Sequence, residues 1–260
     1  MTTRPVSVDG GLASRLYVYA IVPVAAMDLS EMEGLAGRAV HEVRQGPLAA
    51  LVSAIEEERL RPTRANLSAH QQVVSSAHSR GPALPVRFGT VFPDEETLRV
   101  DLLAPEQLRL EAMLADFEGK DEFRVKCRYL PDVAIREVVE RSPSIRKLRA
   151  RADNAASPAT RQAQQVRLGE IVMLELERLR ERDAATVVDG LAPHILSWEP
   201  IDDPSDDVPL HAAFLVDRRR TRDLESALEE IASRQKDRMQ VELIGPLPLW
   251  DFSHVSAGVA

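Results

Sequence analysis

Two histidines on one predicted helix are the first residues in this chain whose type suggests chemistry. His70 and His78 lie in a segment of helical periodicity that ends at Gly81-Pro82. With a rise of about 1.5 Å per residue, the two rings are about 12 Å apart, which is too far for one shared metal ion. No acid stands four residues from either histidine to complete a zinc motif. We therefore predict structural histidines, and an enzyme that uses either one is the weakest of three functional hypotheses.

Other candidate nucleophiles and ligands also favour structural roles. Cys127 falls among the apolar residues of a predicted strand, where burial raises the pKa of a thiol and leaves little thiolate. Ser53, Ser68 and Ser75 lack the flanking glycines of a nucleophile elbow. The acidic loop 202–207 lacks the ligand spacing and the glycine of a calcium loop. We predict no catalytic residue, no metal site and no cofactor.

A run of positive charges without an intervening acid occupies residues 141–151. Its members are Arg141, Arg146, Lys147, Arg149 and Arg151. In a sheet domain, such a run favours RNA binding when strand aromatics can stack on bases. The nearest strand offers only Phe123 and Tyr129, both on its predicted core face. A nucleic-acid-binding protein that uses this basic segment is therefore the alternative function, and a solvated linker or a site for an acidic protein is the simpler interpretation.

The stretch ALPVRFGTVFPDEE, residues 83–96, places an arginine between apolar residues. The residues that share one strand face by period-two spacing are Leu84, Val86 and Phe88. Arg87 then points to the other face, and Gly89 lets the chain turn toward the next helix. We predict that Arg87 is held by Glu95 or Glu96 and that it serves first as architecture and second as a contact residue.

The elements that must position these residues begin with strands. In the first half, the predicted elements are a strand over 15–22, a hairpin over 39–55 about Gly46-Pro47, a helix from an N-cap at Asn66 to Gly81, a helix capped by Asp94, and a helix from Pro105 to Gly119. We place a domain boundary at Gly119. Residues 1–14 are predicted to be a disordered lead-in to an N-terminal α/β domain over 15–119.

The second half has a clearer pattern, beginning with EFRVKCRY, in which apolar and charged residues alternate. After it, the predicted elements are a short helix beyond Pro131, a helix starting at Ser157-Pro158, strands over 194–201 and 209–216, a helix over 221–235 and a strand over 239–245. This order is that of the split βαβ, or ferredoxin-like, fold. We predict an α+β protein of two domains, the second a ferredoxin-like domain over 120–245 with an enlarged helical insertion, followed by an aromatic C-terminal tail over 246–260.

Bulk properties narrow the function further. The chain has 260 residues, 44% of them apolar, which is enough for two cores. A net charge of −8 argues against non-specific nucleic-acid binding, because it repels a polyanion. One cysteine excludes an intrachain disulfide and fits a reducing compartment. No apolar run approaches the ~20 residues of a membrane span. We predict a cytoplasmic protein without a membrane span.

Three stretches resemble the corresponding segments of the gas vesicle protein family GvpL/GvpF. They are LYVYAIV, HQQVVSSAHSRGPALPVRFGTVF and LIGPLPLWDF. The most specific part combines His70 with the run from Leu84 to Thr90, and the similarity extends from Tyr17 to Phe252. The tail departs from the family pattern at Leu249, Trp250 and Asp251, where the family has proline, tyrosine and a small polar residue. The resemblance implies a gas vesicle accessory protein that binds the small hydrophobic shell protein and other accessory proteins during assembly.

The C-terminal tail carries more apolar area than a free terminus needs. Leu247, Leu249, Trp250 and Phe252 follow the glycine and proline that end the last predicted strand. We hypothesise that this tail packs on the protein's own sheet or on the shell protein, with Trp250 and Phe252 as anchors. The predicted partner-binding residues are Arg87, Phe88, Pro246, Trp250 and Phe252. The predicted function is non-catalytic, that of an assembly factor or a chaperone-like adaptor.

Overall fold

The computed structural model describes residues 14–24, 29–30, 32–57, 59–253 and 255. The predicted lead-in 1–14 lies outside these residues except for Ser14. The chain divides into two compact units, Met1–Lys120 together with Leu247–Ala260, and Asp121–Pro246. We refer to them as the N-terminal unit and the C-terminal unit. Each contains one sheet and several helices, so the fold is of the mixed α+β class.

The sheet of the N-terminal unit is built around its first strand, which is buried from Leu16 to Val22. The strands are β1 (Arg15–Pro23), β2 (His41–Gln45), β3 (Leu48–Ile55), β4 (Leu84–Pro85) and β5 (Val91–Phe92). Their order is β2-β3-β1-β4, and β5 also pairs with β1. Strands β2 and β3 pair antiparallel across Gly46, whose φ of +55° suits a tight turn. The predicted hairpin is therefore confirmed.

Two of the three α-helices described in the N-terminal unit begin at positions that differ from those predicted. The three helices are α1 (Arg64–Arg80), α2 (Glu95–Leu98), which continues as a π-helix over Arg99–Leu103, and α3 (Gln107–Asp116). Thr63, not Asn66, caps α1, because its extended backbone lets Oγ1 accept the amide of Asn66 at 3.2 Å. Asp94 caps α2 as predicted, with Oδ1 accepting the Thr97 amide at 2.8 Å. Pro105 lies in a turn before α3 instead of starting it.

The C-terminal unit contains a four-stranded sheet with one buried face. Its strands are β6 (Lys120–Tyr129), β7 (Ser197–Pro200), β8 (Leu210–Asp217) and β9 (Met239–Leu247), in the order β7-β8-β6-β9. Along β6 the alternation is confirmed, since the predicted core residues Phe123, Val125, Cys127 and Tyr129 are all buried. Phe214 of β8 belongs to the same core. Strand β6 is thus the centre of this unit's hydrophobic core.

Four helices complete the C-terminal unit. They are α4 (Val133–Arg141), α5 (Pro143–Asp153), α6 (Pro158–Leu191) and α7 (Thr221–Gln235). Ser157 caps α6 and Pro158 opens it, as predicted. The interpretation of the basic segment 141–151 as a solvated linker is wrong, because most of the segment forms α5. Ser142 accepts the amide of Ile145 at 3.4 Å, and Ile145 itself is buried. Within the described ranges, no helix is both long and apolar enough to cross a bilayer.

Candidate functional site

Aromatic rings from three segments of the N-terminal unit meet around His70. Strand β1 turns Tyr17 and Tyr19 to one face, because side chains two residues apart in a strand point the same way. Helix α1 brings the His70 ring to 5.6 Å from Tyr17 and 5.7 Å from Tyr19, measured between centroids. Phe88, from the loop after β4, lies 5.7 Å from His70. We call Tyr17, Tyr19, His70 and Phe88 the aromatic cluster.

Hydrogen bonds fix the polar atoms of the aromatic cluster. The amide of Gly89 donates to Tyr17 Oη at 3.3 Å, and the same Oη lies 2.8 Å from His70 Nδ1. Because Oη accepts from Gly89, its own proton is available for Nδ1, and this arrangement puts the imidazole proton on Nε2. Tyr19 Oη accepts the amide of Leu35 at 2.8 Å. The two tyrosine hydroxyl groups thereby connect β1 to two loops and to α1.

The environment of His70 keeps its ring neutral. Burial lowers the pKa of His70 to about 4, and the backbone of Val86 opposes part of this shift. Burial also raises the pKa of Tyr17 above its usual range. His70 is only 3% exposed, and its Nε2 makes no hydrogen bond with any described residue. A buried, neutral histidine cannot reach a substrate proton, which supports the predicted structural role.

His78 lies two turns further along α1 and is also buried. Cys127 is buried in the core of the C-terminal unit, where burial raises the pKa of its thiol to about 12. Among the residues that the structure describes, no group of three His, Cys, Asp or Glu side chains is arranged to hold a metal ion. His70, His78 and Cys127 are therefore all buried side chains.

The loop after β4 presents Arg87 to solvent. Strand β4 ends at Pro85 and Val86 makes a single bridge, so the prediction that Arg87 belongs to a strand is wrong. The carbonyl of Arg87 accepts from the Thr90 amide at 3.3 Å and from the Thr90 hydroxyl at 2.8 Å, which closes a turn. Gly89 has a φ of +91°, in the left-handed region that favours glycine. The side chain of Arg87 is exposed.

Arg99, and not Arg87, forms ion pairs with the carboxylates of Glu95 and Glu96. Its guanidinium lies 2.5 Å from Glu95 Oε2 and 3.9 Å from Glu96 Oε2. Glu95 and Arg99 are four residues apart, so the helical geometry alone places them on one face, without any contact from a distant segment. The prediction that Arg87 pairs with Glu95 or Glu96 is therefore wrong.

The C-terminal tail packs on the N-terminal unit, to which it belongs. Leu249 is fully buried, and the Trp250 ring lies 5.6 Å from His70. Ser253 Oγ donates to the carbonyl of Leu249 at 2.6 Å, which closes a turn in the tail. Val255 is buried and forms a parallel bridge with Val86 beside the edge strand β4. Of the two locations hypothesised for the tail, the structure contains the one on the protein's own sheet.

The predicted contact residues therefore differ in their surroundings. Phe88 and Trp250 are partly buried against the core of the N-terminal unit, with ring centroids 5.7 Å and 5.6 Å from that of His70. Arg87 is exposed in the turn beside Phe88, and Phe252 is half-buried in the tail. Pro246 is exposed at the end of the C-terminal unit.

Sequence reasoning missed the residues beneath this site. Tyr17 and Tyr19 were assigned to a core strand, and no role was given to their hydroxyl groups. The available signal was the YVY alternation, which puts both rings on one face, and a helix histidine that needed a buried partner.

The basic segment presents its charges outward. Arg146, Lys147, Arg149 and Arg151 are exposed on α5, whereas Arg141 pairs with Glu137 Oε1 at 2.7 Å. No aromatic residue occurs in 141–151, so this surface has no ring on which a base could stack.

Comparison with known proteins agrees with this architecture. The model of the family "Gas vesicle synthesis protein GvpL/GvpF" matches residues 15–254. Gas vesicle protein F of Streptomyces sp. (strain CB03234) is 32% identical over 240 residues, which cover 91% of this chain and 98% of that protein. Gas vesicle protein L2 of Halobacterium salinarum is 26% identical over 271 residues, which cover 97% of this chain and 96% of that protein.

Solved structures show the same fold. The crystal structure of GvpF from Anabaena sp. PCC7120 superimposes with a TM-score of 0.84 at 22% identity and covers 94% of this chain and 99% of that one. GvpF from Microcystis aeruginosa gives a TM-score of 0.79 at 20% identity, covering 94% and 100%. A family match over nearly the whole chain, together with a relative above 30% identity, shows that this chain belongs to the GvpL/GvpF family of gas vesicle synthesis proteins.

Proposed function

We propose that this protein acts without catalysis in the cytoplasm, as an assembly factor or chaperone-like adaptor that binds the gas vesicle shell protein and other accessory proteins. The observation that carries the proposal is the family match over residues 15–254. The buried and neutral state of His70 supports a non-catalytic role, because it removes the main candidate for proton transfer.

We propose that the turn at Arg87 and the docked tail form the contact surface on the N-terminal unit. Tyr17 holds the turn from inside through the Gly89 amide, so Arg87 is presented by a loop that is already ordered. Phe88, Trp250 and the half-buried Phe252 supply apolar area next to this cation. Preorganised loops bind with a smaller entropic cost than mobile ones. Pro246 is proposed as a contact residue of the C-terminal unit.

We further propose that the C-terminal unit is a ferredoxin-like domain with α4, α5 and α6 as its enlarged helical connection. In chain order its strands stand second, third, first and fourth across the sheet, which is the order expected of a split βαβ. The corresponding domain assignment is 15–119, 120–245 and a tail over 246–260.

A pull-down with purified shell protein tests the proposed contact surface. We expect Arg87→Ala to weaken capture about tenfold and to leave the thermal midpoint unchanged, because an exposed charge contributes little to stability. Arg80→Ala, at an exposed position of α1, is the control and should bind normally.

Repeating the pull-down with nuclease distinguishes the alternative function, nucleic-acid binding, from binding of the shell protein. Capture that disappears after nuclease treatment, and that requires Arg146 and Arg149, would assign the protein to nucleic-acid binding instead. Unchanged capture by Arg87→Ala and by a chain ending at Pro246 would refute the proposed contact surface.

A further inference from the structure

A half-open cavity of about 540 Å³ lies at one end of β6 in the C-terminal unit. Its apolar lining consists of Leu130, Pro131, Ala134, Ile135 and Leu176. Its polar lining includes three aspartates and one arginine, namely Asp132, Asp206, Asp207 and Arg128. Cavities of this size hold a small ligand or several side chains of a bound segment. The cavity therefore combines an apolar floor with a net negative rim.

Ion pairs connect two aspartates of the cavity lining to β6 and α6. Arg128 Nη1 lies 2.6 Å from Asp207 Oδ2, and Arg180 Nη1 lies 2.9 Å from Asp206 Oδ1. The carbonyl of Asp207 also accepts the amide of Tyr129 at 2.8 Å, which attaches the loop to the end of β6. These contacts attach the loop at Asp206 and Asp207 to the neighbouring strand and helix.

An apolar stripe on α6 extends from this cavity. Met173 stands one helical turn before Leu176, and Val166 stands two turns before Met173. Val166 is 54% exposed and Met173 is 51% exposed, while Ile135 on the cavity rim is 50% exposed. The stripe from Val166 to Leu176 is about 15 Å long at 1.5 Å per residue. This length matches about ten residues of a second helix. We call the cavity and this stripe the α6 groove.

Acidic side chains alternate with the apolar residues of the groove. Glu170 and Glu177 are exposed, and each lies four residues after an apolar member of the stripe. They share one helical face with Val166 and Met173, because the spacings are three and four residues. Two copies of this stripe would bring carboxylates together, which disfavours self-association. The negative charge also disfavours an anionic lipid surface.

We propose that the α6 groove binds a basic amphipathic α-helix of a protein partner. Apolar residues of that helix at i, i+3 or i+4 and i+7 occupy the cavity and the stripe. Its lysines or arginines face Glu170, Glu177 and the exposed Asp132 of the cavity lining. The inference adds a binding mode to the proposed role in assembly, and it is tested without the shell protein so that the two can fail separately.

The test uses two labelled synthetic 18-residue helices with the same leucine and alanine face, one with lysine and the other with glutamate on the polar face. Fluorescence anisotropy with the full chain should show binding of the lysine helix and about tenfold weaker binding of the glutamate helix. Ile135→Ser with Met173→Ser should weaken binding of the lysine helix about tenfold or more. Both positions are half exposed, so the variant should keep its thermal midpoint.

Two control variants make the result specific to the groove. Ile244→Ser removes an equally exposed apolar residue from β9, and Glu225→Gln with Glu229→Gln removes two exposed charges from α7. Both should bind the lysine helix normally, whereas Glu170→Gln with Glu177→Gln should bind it several-fold more weakly. Equal binding of both helices, or equal losses in the groove and control variants, would overturn the proposal. A monomer–dimer shift that Met173→Ser abolishes would assign the groove to a second copy instead.

Discussion

At the residue scale, burial decides the behaviour of His70 and Cys127, two of the side chains whose types suggest chemistry. His70 is neutral because an imidazolium ion would lose its hydration among aromatic rings. Cys127 is a thiol because a thiolate would be equally costly inside the sheet core. In both cases burial disfavours the charged form of the group, and stability then depends on pH.

Stability should fall when the pH drops below the usual pKa of histidine. The folded-state pKa of His70 is lowered from its usual value of 6.5 to about 4, so the unfolded chain takes up the proton first. The contribution of His70 is fully present above pH 6.5 and is lost as the pH falls toward 4. Between pH 7 and pH 5 this linkage amounts to about 2 kcal/mol. Urea unfolding at the two pH values measures it.

The assignment to His70 requires two variants. His70→Phe should reduce the loss of unfolding free energy between pH 7 and pH 5 by about 2 kcal/mol. His41→Asn, at an exposed position of β2, should leave the loss unchanged. If His70→Phe and the parent protein lose the same free energy, the neutral buried state of His70 is wrong.

Cys127 should react slowly with thiol reagents in the native protein. Its side chain is fully buried on the core face of β6, and burial, with Asp183 adding to it, raises the pKa of the thiol to about 12. We expect fast stoichiometric labelling only in denaturant, followed as absorbance of the released aromatic thiolate. Fast labelling without denaturant would show that the faces of β6 are reversed.

At the element scale, the tail is part of the N-terminal unit. Leu249 and Val255 are buried, and Trp250 packs on His70. A chain that ends at Pro246 should lose about 4 kcal/mol of unfolding free energy, because two aliphatic side chains and part of an indole ring leave the core. In a Trp198→Phe background, Trp250 should emit at blue-shifted wavelengths without any partner. Emission typical of a fully exposed indole would contradict the docked tail.

Polar contacts also join elements within the C-terminal unit. Arg238, just before β9, lies 2.8 Å from Glu137 of α4 and 2.8 Å from Asp183 of α6, and Asp183 accepts the Tyr129 hydroxyl at 2.7 Å. We expect Arg238→Ala to cost about 3 kcal/mol, because the largely buried carboxylate of Asp183 loses its cation and Glu137 keeps only Arg141. Arg222→Ala, at an exposed position of α7, is the control for loss of an arginine and should unfold like the parent in urea.

At the scale of the whole molecule, each unit has its own tryptophan. Trp198 lies in the C-terminal unit and Trp250 in the N-terminal unit. If the units unfold separately, as the proposed domains require, Arg238→Ala should lower the urea midpoint reported by Trp198 more than the one reported by Trp250. Single-tryptophan variants, Trp198→Phe and Trp250→Phe, allow each midpoint to be read alone. Equal shifts in both would indicate one cooperative unit.

The sequence by itself determined what depends on short-range periodicity. The buried face of β6 followed from strict alternation, the β2–β3 hairpin from Gly46-Pro47, and the start of α6 from Ser157-Pro158. The family followed from motifs that keep their order along the chain. The pairing of Arg99 with Glu95 was also present in the i, i+4 spacing and was overlooked in favour of Arg87.

Only the tertiary structure decided how distant segments combine. Val255 meets Val86, and Trp250 meets His70, although about 170 or more residues separate the members of each pair along the chain. Local patterns do not encode such contacts, because their free energy comes from apolar area that is buried only when both segments are in place. The same reason explains α5, whose run of charges suggests a solvated linker. Its helix is held by Ile145, a buried residue whose partners lie on other elements.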